Sequence, residues 1–148
     1  MISSSTLPAQ ADRVDTRRLP IAALIAGAVA AIANLVLYVL VTLAFGIGLE
    51  VQMGGPQAPV EPLGAVPVIL MSALPALVAA GLLWLLNRFV ARPFALFQAI
   101  AAVVALLSLG GPLTLQVGVA SKIVLSLMHI VAATAIVLVL RQRARVGA

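Results

Sequence analysis

Of the side chains set deep in the apolar runs of this 148-residue chain, His129 has the most chemistry available to it. An imidazole can carry a proton or ligate a metal, and an ionisable group in hydrocarbon is costly enough that a partner is expected. Along a helix rising about 1.5 Å per residue, His129 lies about 18 Å from Arg141, and Asn34 lies about 24 Å from Arg18. Those distances place both in one central layer. A side-chain amide donates to or accepts from a neutral imidazole, so an Asn34–His129 hydrogen bond is expected, with the ring nitrogen left open.

Lys122 and Ser126 share a narrow helical face with His129. Lys122, about 28 Å from Arg141, is placed to snorkel to the far interface and to meet Glu50 or Glu61. On the first apolar run Gly27, Asn34, Tyr38 and Thr42 line a comparable face. Asn34, His129, Ser126, Lys122 and Tyr38 therefore form the candidate polar site, bordering a cleft. Its active reading is a small binding or conduction site in which His129 carries a proton or ligates and Asn34 orients it. The plainer and favoured reading is a bundle held by one buried polar pair, worth about 0.6 kcal/mol and seldom above about 2 kcal/mol.

Other chemistries lack their residues. The chain has no cysteine and one histidine, so disulfides, thiol redox chemistry and thiolate metal sites are excluded. A single histidine cannot supply both axial ligands to a haem, and no second histidine or buried carboxylate is available to complete a metal site. No cofactor is expected. Ser121 and Ser126 stand near His129, but no acidic orienter lies in the apolar runs, so a hydrolase triad is not expected. Gly110-Gly111-Pro112 reads as a helix stop and not as a phosphate loop, since no GK[ST] follows. Gln98 is read as an interhelical hydrogen-bond partner.

The elements that must position these residues are membrane spans. Hydrophobic residues make up 64% of the chain and the mean hydropathy is +1.23, which excludes an ordinary water-soluble globule. Three arginine clusters punctuate four apolar runs: Arg13, Arg17 and Arg18 before the first, Arg88 and Arg92 between the second and third, Arg141, Arg143 and Arg145 after the fourth. Basic loop residues stay cytoplasmic, so both termini and the middle turn are expected inside and Glu50 and Glu61 outside. The net charge of +5 has no continuous basic face, which speaks for lipid headgroups and against nucleic acid as the partner. Arg17-Arg18 before an apolar run suggests a signal peptide, but Leu19 to Phe45 is too long for one.

The expectation is an all-α membrane protein, a four-transmembrane antiparallel helix bundle. Residues 1–18 are read as a disordered cytoplasmic tail, 19–140 as the transmembrane domain and 141–148 as a basic tail. Helices are expected at about 20–45, 65–86, 93–109 and 119–140. Pro20, Pro67 and Pro93 suit first turns, whereas Pro75 falls inside the second helix, with Ser72 placed to re-satisfy the backbone there. Trp84, Phe89, Phe94 and Phe97 form an inner aromatic belt. Small residues recur every four positions, at Ala23, Gly27 and Ala31, at Ser72, Ala76 and Ala80, and at Ala95 and Ala99, as backbone close packing requires. Leu49 to Met53 and Leu113 to Val117 both alternate with period two, which suits either two segments lying separately at the headgroup surface with their apolar sides in lipid or a short β-pair capping the bundle.

Asn34 in mid-helix, the turn Ser108-Leu109-Gly110-Gly111-Pro112-Leu113-Thr114 and the segment Leu127-Met128-His129-Ile130-Val131 together resemble an uncharacterised family of small four-span bacterial membrane proteins. That family is common in actinobacteria and is known only as a domain of unknown function. The resemblance covers residues 19–140 and implies four spans in a bacterial inner membrane, with no activity attached. The functional expectation is therefore a non-enzymatic structural or accessory membrane protein that works with a protein partner or a second copy of itself. A small transporter or channel built on Asn34 and His129 comes second, and a cofactor-binding protein with His129 as ligand comes third.

Overall fold

The computed structural model describes residues 12–54 and 57–147. Among them, four helices are long and apolar enough to cross a membrane, and the protein is a four-span antiparallel bundle. The first begins as α1 (Leu19–Val39), with Pro20 in the turn where its missing N–H costs nothing. It continues as a π-helical turn over Leu40–Ala44 and ends at Gly46, whose φ of +65° suits a residue without a Cβ. A two-residue antiparallel pair follows, β1 (Glu50–Val51) with β2 (Glu61–Pro62), in the register Glu50 to Pro62 and Val51 to Glu61. Helix α2 (Ala65–Phe89) runs through Pro75, α3 (Pro93–Ser108) leads into the short α4 (Gly110–Thr114), and α5 (Val119–Arg143) completes the bundle.

Apolar attraction between helices fades in lipid, so close backbone approach has to supply the packing. Helix α1 provides it with a seam of Ala22, Ala23, Ala26, Gly27, Ala30 and Ala31, all buried. Facing it on α2 are Ser72, Ala76 and Ala80, also buried. A Cβ built on Gly27 would stand 3.1 Å from the Ala73 carbonyl oxygen, which shows how near the two backbones run. The expected small-residue rows on the first two spans are thus one interface. The row on α3 is not part of it, because Ala95 and Ala99 are exposed. Helix α1 also packs on α5, whereas the third span lies at the side: 11% of its apolar window is buried within the chain, against 28–33% for the other three.

Several expectations need correction. The third helix ends at Ser108, close to the expected 109, but Gly110-Gly111-Pro112 opens a further short helix in place of a loop. The chain only pauses at Leu109 and resumes with Pro112 in a first turn, where it removes no needed donor, so the span extends from Pro93 to Thr114. The outer strands do not pair Leu49–Met53 with Leu113–Val117, since Leu113 and Thr114 are helical. Glu50–Val51 pairs instead with Glu61–Pro62, the nearer segment, for which a shorter loop must be closed. The two outer loops still meet, because the Gln116 N–H donates to Gln52 Oε1 at 2.9 Å.

Residues 12–18 are also ordered, where a disordered tail was expected. Residues 1–11 lie outside the described residues, but Val14 is buried and forms an antiparallel bridge with Arg145. The Asp15 N–H donates to the Ala144 carbonyl at 2.8 Å, and the Val146 N–H donates to that of Arg13 at 3.0 Å. Asn87, at the end of α2, mimics a third strand: its Oδ1 accepts from the Val14 N–H at 3.0 Å, and its carbonyl accepts from Arg13 Nη1 at 3.0 Å. Asp12 pairs with Arg145 at 3.6 Å. This clasp closes an apolar cluster around Leu83, Phe94, Phe97 and Leu140 at the arginine-rich end. A second cluster, with Val41, Leu49, Leu63, Val68, Val124, Leu125 and Met128, fills the hairpin end.

Candidate functional site

Between the two apolar clusters lies a thin polar layer centred on Asn34. Its side chain is 3% exposed, and its Nδ2 donates to Ser72 Oγ at 2.9 Å and to the Met128 carbonyl at 3.0 Å. One amide thereby ties α1 to both α2 and α5. The local cause is the small-residue seam, which brings the α2 backbone close enough for the short Ser72 side chain to reach α1. Ser72 accepts that bond and donates to no backbone carbonyl, so it does not repair the helix at Pro75 as expected. Asn34 Oδ1 is buried with no hydrogen-bond partner, a state that costs about 1–3 kcal/mol relative to a satisfied acceptor.

His129 is in the same layer, but it does not meet Asn34. Its Nδ1 lies 2.7 Å from the Leu125 carbonyl oxygen one turn earlier on α5. A carbonyl only accepts, so Nδ1 carries the proton, and in the neutral ring Nε2 is left as the acceptor. The Nδ1 proton is satisfied within its own helix, and Nε2 meets no donor among the described residues. Ser126, on the same side of α5, has a buried hydroxyl without a partner. Lys122 is half-buried and forms no ion pair with Glu50 or Glu61 among the described residues.

Glu50 turns instead to the start of α5, where its Oε2 accepts a long 3.5 Å contact from the Gly118 N–H. A carboxylate there is favoured by the helix dipole. The Glu50 N–H donates to the buried Ser121 Oγ at 3.0 Å, so the hairpin is pinned to α5 at two points. Tyr38 pins it to α1, its hydroxyl donating to the Leu63 carbonyl at 2.9 Å. Gln52 is buried and crosses to both sides of the cap, donating from Nε2 to the Ala58 carbonyl at 3.0 Å while its Oε1 accepts from Gln116. Tyr38 and Lys122 are therefore cap-level residues, separate from the Asn34 layer.

The five residues of the expected site thus fall into three settings: Asn34 in an interhelical tie, His129 and Ser126 along one side of α5, Tyr38 and Lys122 near the hairpin. Their chemistry is chiefly that of helix fixation. Two participants went unrecognised in the sequence. Ser72 was legible, since it stands sixteen residues from Arg88 as Asn34 stands sixteen from Arg18, about 24 Å in each case. The Met128 carbonyl was not, because a backbone acceptor leaves no mark on residue type. Gln98, expected to bridge helices, is half-buried and has no hydrogen-bond partner among the described residues.

No curated protein and no solved structure matches this chain. A family profile does match, across residues 14–146, which takes in all four spans and both halves of the terminal clasp. The chain belongs to that family, the family of unknown function DUF6069.

Proposed function

We propose that this protein is a non-enzymatic integral membrane protein that serves as an accessory or assembly partner within a larger complex. The observation carrying this reading is the third span, whose apolar window is only 11% buried by its own chain. Val103 and Leu107 are 56% and 74% exposed there, and a partner protein in the bilayer would cover such a face. The internal polar ties support the same reading, since Asn34 and Ser72 hold the other helices in fixed register and leave the third free to dock. Purification at native expression level in mild detergent tests the proposal. A stoichiometric companion protein, or a second copy of the chain, is the expected result; a lone monomer would sink it.

The alternative is a small transporter or channel using the layer of Asn34 and His129. It is favoured by one observation, the buried and unpartnered Asn34 Oδ1 and Ser126 Oγ, which a passing solute or water would satisfy. Asn34→Ala that keeps thermal stability but abolishes a flux would select this reading. For location we infer a bacterial plasma membrane with both termini and the turn at Arg88 and Arg92 in the cytoplasm, on the strength of the eight arginines at that end. The natural chain has no cysteine, so single cysteines near either terminus report sidedness cleanly. Labelling of intact cells by a membrane-impermeant thiol reagent at those positions would reverse the orientation.

A further inference from the structure

The third and fourth spans leave a lateral groove of about 390 Å³ between them. Its walls are mostly small and apolar, including Ala102, Ala105 and Leu106 on α3 and Ile130, Ala133 and Thr134 on α5. Beyond this lining, toward the arginine-rich end, the first polar side chains on the lines of the two walls are Gln98 and Arg141. Gln98 precedes Ala102 by four residues and Ala105 by seven, and Arg141 follows Thr134 by seven, spacings that keep each on the groove's line. At about 1.5 Å per residue, Gln98 stands about 6 Å beyond Ala102 and Arg141 about 10 Å beyond Thr134. The two helices are antiparallel, so an unused amide and an exposed arginine flank the same end of one groove.

The arginine's charge is uncompensated among the described residues. The carboxylates at that end are Asp12 and Asp15, which pair with Arg145 and Arg18. Among the described residues Arg141 forms no ion pair, and neither Gln98 nor Thr134 forms a side-chain hydrogen bond. Donors at headgroup depth continuous with a small-walled apolar slot match one class of molecule. We propose that the seam between the third and fourth spans is a binding site for an anionic phospholipid, with the phosphate at Arg141 and Gln98 and an acyl chain along Ala102, Ala105 and Thr134. The occupant is a lipid because Arg141 stands without an ion pair at the mouth of the slot, where a phosphate neutralises it and the Gln98 amide can donate to it.

Native mass spectrometry of the full chain, extracted in mild detergent and supplied with phosphatidylglycerol or phosphatidylcholine, tests the site. The wild type retains one phosphatidylglycerol under conditions that strip phosphatidylcholine. Arg141→Gln lowers the bound fraction about fivefold, the effect of one basic side chain near a charged headgroup, and Gln98→Ala lowers it less. Thr134→Leu, at an exposed position that leaves folding intact, blocks the slot and removes the adduct without altering charge. Arg17→Gln, away from the seam, leaves binding unchanged. Equal retention by all variants overturns the proposal, as does an equal loss with Arg17→Gln, which would mean general charge attraction. Displacement of the lipid by inorganic phosphate would reduce the site to an anion contact. Crosslinking of Ala105→Cys to a protein in native membrane would make the occupant a helix; both outcomes overturn the lipid assignment.

Discussion

Asn34 uses both N–H groups of one amide to hold three helices, so its removal should register as lost coupling as well as lost stability. Asn34→Ala and Ser72→Ala are each expected to lower the unfolding free energy by about 0.6–1.7 kcal/mol, the range for hydrogen bonds between membrane helices. Combined, they should cost less than the sum, because the second removal breaks a bond already gone. Asn34→Ala with His129→Ala should add independently, since His129 bonds to Leu125 and shares no hydrogen bond with Asn34. Unfolding in detergent measures all four combinations, and strong coupling between Asn34 and His129 would contradict the geometry. The depth of Asn34 was readable because arginines mark the ends of the spans. Its partners were not, because periodicity gives a height and a face but does not say which neighbour that face meets.

Helices follow from hydropathy with little ambiguity here, and their ends follow from proline and glycine only where the local turn obeys the usual habit. Gly46 ends the first span as expected, but Gly110-Gly111-Pro112 merely interrupts the third, because a proline in a new first turn is compatible with helix. The period-two signal in Leu49–Met53 located a strand correctly and gave no information about its partner, which proximity along the chain decided. The tightest constraint sits between α1 and α2. Gly27→Val should destabilise the bundle by about 1–3 kcal/mol through overpacking, because even a single Cβ there would stand 3.1 Å from the Ala73 carbonyl. At Gly81 a Cβ meets nothing within 4 Å, so Gly81→Ala is expected to be neutral or mildly stabilising. Thermal melting in one detergent compares them, and equal losses would show that the helices approach elsewhere.

The bundle as a whole is charged at one end and capped at the other. Eight arginines gather where the termini meet, while the hairpin, Glu50 and Lys122 occupy the opposite end. The four-span plan and this asymmetry were legible because composition and charge are global properties of a sequence. The clasp of Val14, Asn87 and Arg145 was hidden, since it is built from backbone groups and one short amide in segments that look featureless. That clasp has a consequence for connectivity. The described part of the chain is nearly a ring: Arg13–Asp15 and Ala144–Val146 already lie side by side, bonded backbone to backbone, with the turn between α2 and α3 at the same end. A circular permutant that joins Gly147 to Asp12 by a short linker and opens at Val90–Ala91 should insert with every span in its original direction. Its melting temperature should stay within a few degrees of the parent in the same detergent, and failure to fold would mean that the order of synthesis, not the final contacts, builds this bundle.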